Sequence, residues 1–319
     1  METPSGKNGG DRLSAKIVIL GAGHVGSHVA MALAADPLCG EIVLVDRIPG
    51  KAAAQAADIA DSLSFASPCP LVRDGHYADC ADADITVCAI GKAREPGQTR
   101  LDLLGDSARM VRDLARSLEA SPPGGLVISI TNPCDIIADC LRQALGMERS
   151  RCFGTGTLLD TARLIRILSE QTGVPRSEIH AVVMGEHGDS SMIPFSALRL
   201  RGKPTADAAG FNAEEALLRT HQTGMDIING KGSTEFGIGR AAAFLIHALL
   251  TGAEIELPLS VALQGEYGVR GIGCGVPCAI GRNGIKRVVE LPLTAPERAA
   301  FDASVDVLKR YTELAKHIE

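Results

Sequence analysis

Tryptophan is absent from this chain, and aromatic residues of any kind are scarce: three Tyr and seven Phe in 319 residues. Proteins that hold single-stranded nucleic acid stack its bases on aromatic rings, so no such platform is expected. Positive charge is not in excess either. The 32 Lys and Arg face 38 Asp and Glu, a formal net charge of −6. A nucleic-acid partner calls for the opposite balance. No stretch approaches the roughly 20 apolar residues of a membrane span. The best, Ala241 to Leu250, contains His247 and runs into Thr251-Gly252-Ala253-Glu254. The first dozen residues, METPSGKNGGDR, lack the apolar core of a signal peptide. The expectation is a short mobile tail over residues 1–14 on a cytoplasmic protein. There is no CxxC pair, since Cys274 and Cys278 stand four apart, and no metal is assigned. Nine cysteines cannot all pair within one chain, and most sit among apolar residues, as Cys88 does in ITVCAI and Cys140 in IIADCL. Buried, reduced thiols are expected. No internal repeat or low-complexity run is visible.

What is present is an ordinary globular composition, 45% hydrophobic and 22% charged. The length suggests two domains, or one large one. In the first half, continuous β-branched runs alternate with helical patterns. Lys16 to Leu20, Glu41 to Val45, Ile85 to Ile90 and Leu126 to Ile130 read as strands buried on both faces, as a parallel sheet requires. Val25 to Ala34, Lys51 to Leu63, Leu101 to Leu118 and Asp135 to Leu145 read as the intervening helices. This alternation predicts an α/β fold with a doubly wound parallel sheet of the Rossmann type. The second half reads as an α+β unit. Helices are expected at Thr157 to Glu170, Ala213 to Ile228 and Arg240 to Leu250. A short strand is expected at Ala181 to Met184, and antiparallel strands with tight turns over Pro258 to Leu293. Phe301, Val305, Leu308, Tyr311 and Leu314 mark one face of a terminal helix. The boundary is placed near Gly154, giving units over 15–154 and 155–319.

Gly21-Ala22-Gly23-His24-Val25-Gly26 follows the first strand and opens the first helix. Gly21 permits the tight turn, Gly23 lets backbone approach a pyrophosphate, and Gly26 lets helix and strand pack closely. The amides of the helix start, Val25 among them, supply donors and a partial positive charge. Asp46 ends the second strand 20 residues after Gly26, where a carboxylate meets an adenosine ribose. A carboxylate there repels the extra phosphate of NADP, so NAD is the expected cofactor, although Arg47 stands next door.

Four further segments carry chemistry. Gly91 to Leu104 is a polar loop with three cations, Lys92, Arg94 and Arg100. Thr131-Asn132-Pro133 follows a strand. GTGTLLDTAR places Asp160 and Arg163 three apart, on one face of a helix. Gly185-Glu186-His187-Gly188-Asp189 follows an apolar run. Taken singly, each has a bland reading: a structural histidine, a surface ion pair, a solvated arginine, a turn asparagine.

Together, GEHGD and LDTAR behind the glycine fingerprint resemble the NAD-dependent L-lactate and L-malate dehydrogenase family, from Ala15 to the terminal helix. The resemblance implies that His187 is the acid–base group and that Asp160 holds its imidazole. An imidazole poised near neutrality suits proton transfer in both directions. It further implies that Arg163 clamps the substrate carboxylate with a bidentate fork. Arg100 polarises the substrate carbonyl when its loop closes. Asn132 hydrogen-bonds near the substrate oxygen and the nicotinamide. Thr234 and Ile238 line the substrate and nicotinamide pocket, and Gly91 belongs to the cofactor side. The family also implies a homodimer or homotetramer.

The resemblance divides over the substrate. Arg94 falls at the family's specificity position, where a cation suits a dicarboxylate, because a closed loop would otherwise bury a charge unpaired. That points to oxaloacetate and malate. GTGTLLDTAR and INGKGST look more like the lactate and 2-hydroxyisocaproate branch, and Gly224 would leave room for larger 2-oxo acids. A lactate-type 2-hydroxy acid dehydrogenase is the reading adopted. Malate is the first alternative; branched or aromatic acids, or a non-catalytic NAD-binding protein, come behind it. Activation by fructose 1,6-bisphosphate in bacterial relatives needs a cation two residues past the clamp arginine and a histidine on the next strand. Here Ile165 stands at the first position and His180 at the second, so no activation is expected.

Overall fold

The computed structural model describes residues 14–91, 100–204 and 210–318. The expected tail and the specificity candidate Arg94 lie outside them, apart from Ser14. Six parallel strands build the first half: β1 (Ala15–Leu20), β2 (Cys39–Val45), β3 (Leu71–Asp74), β4 (Ile85–Cys88), β5 (Leu126–Ser129) and β6 (Cys152–Gly154). Their spatial order is β3-β2-β1-β4-β5-β6. β1, β4 and β5 are the apolar runs of the sequence and are almost wholly buried, as central parallel strands must be. Helices α1 (His24–Ala34), α2 (Lys51–Ser62), α3 (Arg100–Ser117) and α4 (Cys134–Ala144) fill the crossovers. The strand order reverses between β1 and β4. The crevice outside their carboxyl ends is where ligands bind in such sheets.

Helix α5 (Leu158–Thr172) opens the second half. Leu164, Ile167 and Leu168, at helical spacing, enter a small separate core with Val183, Ile193 and Leu198. That core is covered by a three-stranded antiparallel sheet of β7 (Ile179–His180), β8 (Arg199–Leu200) and β9 (Lys203–Pro204). The strand expected at Ala181 to Met184 does not form. Its place is taken by β7, two residues upstream, and by isolated bridges at Met184 and Gly185. The Val183 N–H donates to Thr161 Oγ1 at 2.9 Å and its carbonyl accepts the Thr157 hydroxyl at 2.6 Å, so neither is left for a strand ladder.

Helices α6 (Ala213–Lys231) and α7 (Phe236–Thr251) lead to the hairpins β10 (Glu256–Gln264), β11 (Arg270–Gly281) and β12 (Gly284–Val288). These extend the parallel sheet to nine strands. β10 pairs antiparallel with β6 through a single register pair, Ser260 with Gly154. The terminal helix α8 (Ala295–Lys316) starts at a capping box of Thr294 and Glu297. It buries Phe301, Val305 and Leu308 in the main core, which runs unbroken from the parallel strands to β12.

Candidate active site

The glycine loop has the geometry its sequence requires. Gly21 adopts a φ of +102°, and a Cβ there would lie 2.6 Å from the Ala89 carbonyl oxygen. A Cβ on Gly26 would lie 1.9 Å from the oxygen of Gly21, so the close contact of α1 with the β1 turn excludes any side chain. Gly23 is open: its nearest neighbour is the Lys51 Nζ, 3.9 Å from where a Cβ would be. No side chain caps α1, whose N-cap is Gly23, so the first-turn amides, Val25 included, are left for a ligand. The Asp46 carboxylate accepts the Ala22 N–H at Oδ2 and the Ile48 N–H at Oδ1, both at 2.9 Å. It is thereby fixed at the carboxyl end of β2. These residues fit a dinucleotide: an uncapped helix start, an open glycine face and an aimed carboxylate. Lys51, which the sequence reading passed over, holds its ammonium 3.5 Å from Asp46 Oδ2. Gly91 is exposed, just past β4.

Three of the catalytic candidates meet, from helix α5 and the loop after β7. His187 Nδ1 lies 2.5 Å from Asp160 Oδ2, and Arg163 Nη1 donates to Asp160 Oδ1 at 2.9 Å. One carboxylate in the first turn of α5 therefore holds both the imidazole and the guanidinium. Burial pushes the Asp160 carboxyl up, but His187 and Arg163 outweigh it and hold it below the usual carboxylate range. The Asp160 charge, opposed by burial, raises the His187 imidazole above its ordinary value. A carboxylate at Nδ1 leaves Nε2 as the nitrogen free for proton exchange.

The loop that carries His187 is tied down by residues the sequence reading did not single out. The His187 N–H donates to Asp135 Oδ2 at 2.8 Å. Asp135 lies in the first turn of α4 and is only 2% exposed. Burial pushes its carboxyl up to about 6, with the Ser260 hydroxyl and the His187 amide offsetting part of the shift. The preceding N–H, of Glu186, donates to Ser304 Oγ of α8 at 2.8 Å. Gly185 exchanges backbone hydrogen bonds with Gly275 of β11 at 2.8 and 2.9 Å.

Asn132 lies three residues before Asp135, in the turn after β5. Its carbonyl accepts the Ser107 hydroxyl of α3 at 2.7 Å, and the Thr131 hydroxyl donates to the Ile90 carbonyl at 2.7 Å. Arg100 is the first residue of α3, with its side chain outside the described part. Thr234 lies between α6 and α7, and Ile238 is buried in the first turn of α7. Glu235 fastens that junction to the glycine loop: its carboxylate meets Lys231 at 2.5 Å and His24 Nδ1 at 3.3 Å. Gly224 of α6 faces the clamp candidate, since a Cβ there would lie 3.3 Å from Arg163 Nη1. His180 is exposed and Ile165 half-buried. The neighbouring Arg166 is engaged by Glu170 at 2.6 Å.

Residues 15–154 match the lactate/malate dehydrogenase NAD binding domain, and residues 157–319 match the lactate/malate dehydrogenase alpha/beta C-terminal domain. The chain belongs to the lactate/malate dehydrogenase family. It is an NAD-dependent oxidoreductase. The L-lactate dehydrogenase of Fusobacterium nucleatum subsp. nucleatum is 38% identical over 309 residues, 94% of this chain and 97% of that protein. The crystal structure of a minor L-lactate dehydrogenase from Enterococcus mundtii superposes with a TM-score of 0.90 at 33% identity, over 95% of this chain and 98% of that one. The malate dehydrogenase of Picrophilus torridus superposes with a TM-score of 0.89 at 27% identity, over 95% and 97%. Fold likeness therefore spans both substrate branches of this dehydrogenase family. All nine cysteines are free, and burial raises the thiols nearest the site, Cys134 to about 12. Among the described residues no helix is long and apolar enough to cross a membrane.

Proposed function

We propose that the chain is an L-lactate-type 2-hydroxy acid dehydrogenase that interconverts pyruvate and L-lactate. The observation that carries a 2-oxo acid substrate is the shared carboxylate: Asp160 holds His187 Nδ1 at 2.5 Å and Arg163 Nη1 at 2.9 Å, and the L-lactate dehydrogenases at 34–38% identity favour pyruvate among such acids. A proton donor and a carboxylate clamp thus sit side by side, as a 2-oxo acid requires. Protonated His187 gives its Nε2 proton to the substrate's keto oxygen, and Asp160 stabilises the imidazolium until then. Arg163 pairs with the substrate carboxylate through its free guanidinium edge. Arg100 polarises the keto group. Asn132 and Thr234 hydrogen-bond around it, and Ile238 packs on the nicotinamide side. Gly21, Gly23, Val25, Gly26, Asp46 and Gly91 hold the dinucleotide, which supplies the hydride when bound. Most of the dinucleotide work falls in residues 15–154, and the proton-transfer and clamp groups in 155–319. The family's habit supports a homodimer or homotetramer in the cytoplasm. Exposed Met31, Phe65 and Phe244 are apolar surface available for such contacts.

A second reading, malate dehydrogenase, rests on Arg94, whose guanidinium would match the second carboxylate of oxaloacetate. The test is NADH oxidation by the purified protein, followed by absorbance, with pyruvate, oxaloacetate and 2-oxoisocaproate compared by kcat/KM. Pyruvate ahead supports the lactate reading. Oxaloacetate ahead by orders of magnitude replaces it with malate, and makes Arg94 a working specificity residue. 2-Oxoisocaproate ahead points to the space left beside Arg163 by Gly224. NADH binding with no turnover of any 2-oxo acid would leave a non-catalytic NAD-binding protein.

A further inference from the structure

Helix α8 presents a stripe of apolar side chains to the core, and one member of that buried face is polar. Ser304 is 0% exposed, beside Phe301, Val305 and Leu308. An apolar side chain would suit such a face better, because a buried hydroxyl needs a partner. Its partner is the loop that carries His187. Ser304 Oγ accepts the Glu186 N–H at 2.8 Å and lies 3.2 Å from Ser190 Oγ. Gly185 packs so closely that a Cβ there would fall 2.3 Å from Ser304 Oγ. The hydroxyl thus meets the loop on both sides of Glu186, from 118 residues away in sequence.

The helix itself is well anchored. Thr294 and Glu297 cap its start. Arg298 donates to the Tyr267 carbonyl, and Arg112 of α3 donates to the Ala315 carbonyl near its end, both at 2.9 Å. A fixed helix can serve as a reference point for a loop.

We propose that Ser304 is a positioning residue for proton transfer: its hydroxyl sets the height of the 185–190 loop and thereby the place of the His187 ring. The inference rests on the reading of His187 given above. Two successive amides of the loop point to two buried side chains, Glu186 N–H to Ser304 and His187 N–H to Asp135. The ring then meets Asp160 of α5, and the charges of Asp135 of α4 and Arg163 of α5 also act on it. Without the Ser304 acceptor, the Glu186 amide loses the hydrogen bond that ties it to α8. The loop then regains the freedom to turn His187 away from Asp160.

The test compares Ser304→Ala and Ser304→Cys with the wild type in NADH-dependent reduction of its preferred 2-oxo acid, from pH 5.5 to 9. NADH affinity is measured alongside by calorimetry. Misplacement of a reacting group predicts that kcat falls about tenfold to 100-fold in Ser304→Ala while KM and NADH affinity stay within about twofold. The pH at which reduction falls off also moves down, because a looser Asp160 contact stabilises the imidazolium less. Cysteine fills the space but accepts hydrogen bonds weakly, so Ser304→Cys is expected to resemble Ser304→Ala. A cysteine variant with wild-type rate and pH profile would overturn the proposal in favour of simple packing. So would parallel loss of NADH affinity. Should neither variant fold, hydrogen exchange on the wild type decides. The Glu186 amide is expected to exchange as slowly as the buried turns of α8, and exchange at the rate of an exposed loop overturns the proposal. A wild type inactive on every 2-oxo acid fails the functional reading and this inference with it. An active wild type matched by Ser304→Ala fails this inference alone.

Discussion

The two halves of the candidate active site are made in different ways. On the cofactor side, Gly21, Gly23 and Gly26 fall within six residues, and Asp46 is one crossover away. Their contacts are with one another, with the stretch just past β4 and, through His24, with Glu235. On the proton-transfer side, the His187 loop is fixed by Asp135, Asp160, Gly275 and Ser304, from four separate elements. The named residues of the first half stand close together in sequence; those of the second come from elements far apart in the chain. Damage to the first should therefore appear as lost binding, and damage to the second as lost turnover with binding intact.

The sharpest way to break this contrast is to remove the proposed proton donor. His187→Asn should lower kcat about 1,000-fold, the scale of general acid–base catalysis, while stopped-flow binding of NADH stays unchanged. A matched loss of NADH binding would erase the distinction. Asp160→Asn should cost about 100-fold in kcat, with a signature in pH. Asp160 raises the His187 imidazole above its ordinary value of 6.5. Reduction needs the protonated ring, so in the wild type the rate falls as pH rises through that raised value. In the variant the fall should come at lower pH, read from kcat/KM against pH.

On the cofactor side the expected effects are smaller and of the other kind. Gly26→Ala forces a methyl against the Gly21 carbonyl oxygen. Overpacking of this sort costs about 1–3 kcal/mol, so NADH affinity by calorimetry should weaken about tenfold or more, with kcat at saturating NADH much less affected. Beneath the cofactor half, buried Lys16 of β1 pairs with Asp79 at 3.0 Å and Asp82 at 2.6 Å, and Arg73 also binds Asp79. Asp79→Asn should destabilise the fold by about 1 kcal/mol, a discounted value because Asp82 still pairs with Lys16. Arg73, against some opposition from burial, holds the Asp79 carboxyl well below its ordinary 3.8. Its contribution is thus present above that pH and lost as pH falls through the depressed value. The gap between variant and wild type in thermal melts should be full at pH 7 and shrink in strong acid. The smallest effect expected is none: fructose 1,6-bisphosphate should leave the substrate KM unchanged. Ile165 carries no charge, and Arg166 is already held by Glu170.

The same contrast governs how much was legible in the sequence. The apolar runs of β1, β2, β4 and β5 announced the parallel sheet, and the Gly21 to Gly26 spacing announced its ligand end. β3 was missed because it is an edge strand with one fully buried residue in four. β6 was missed because it is three residues long. The strand expected near Ala181 failed because the Thr161 and Thr157 hydroxyls of the neighbouring segment take the Val183 N–H and carbonyl, which apolar character alone does not reveal. His187, Asp160 and Arg163 were legible because motif and helical spacing name them. Asp135, Ser304 and Ser107 were not. Each looks like an unremarked helix residue until folding brings it against a loop 52, 118 or 25 residues away.

The single register pair between Gly154 and Ser260 carries a consequence for anyone who would cut this protein in two. Although the sequence divides neatly near residue 154, the nine-stranded sheet does not. Fragments made separately would each expose a raw strand margin, β6 on one and β10 on the other, with unpaired amides and carbonyls ready to recruit a stranger. Such pieces are better produced together in one cell than mixed afterwards, because each is the other's cover.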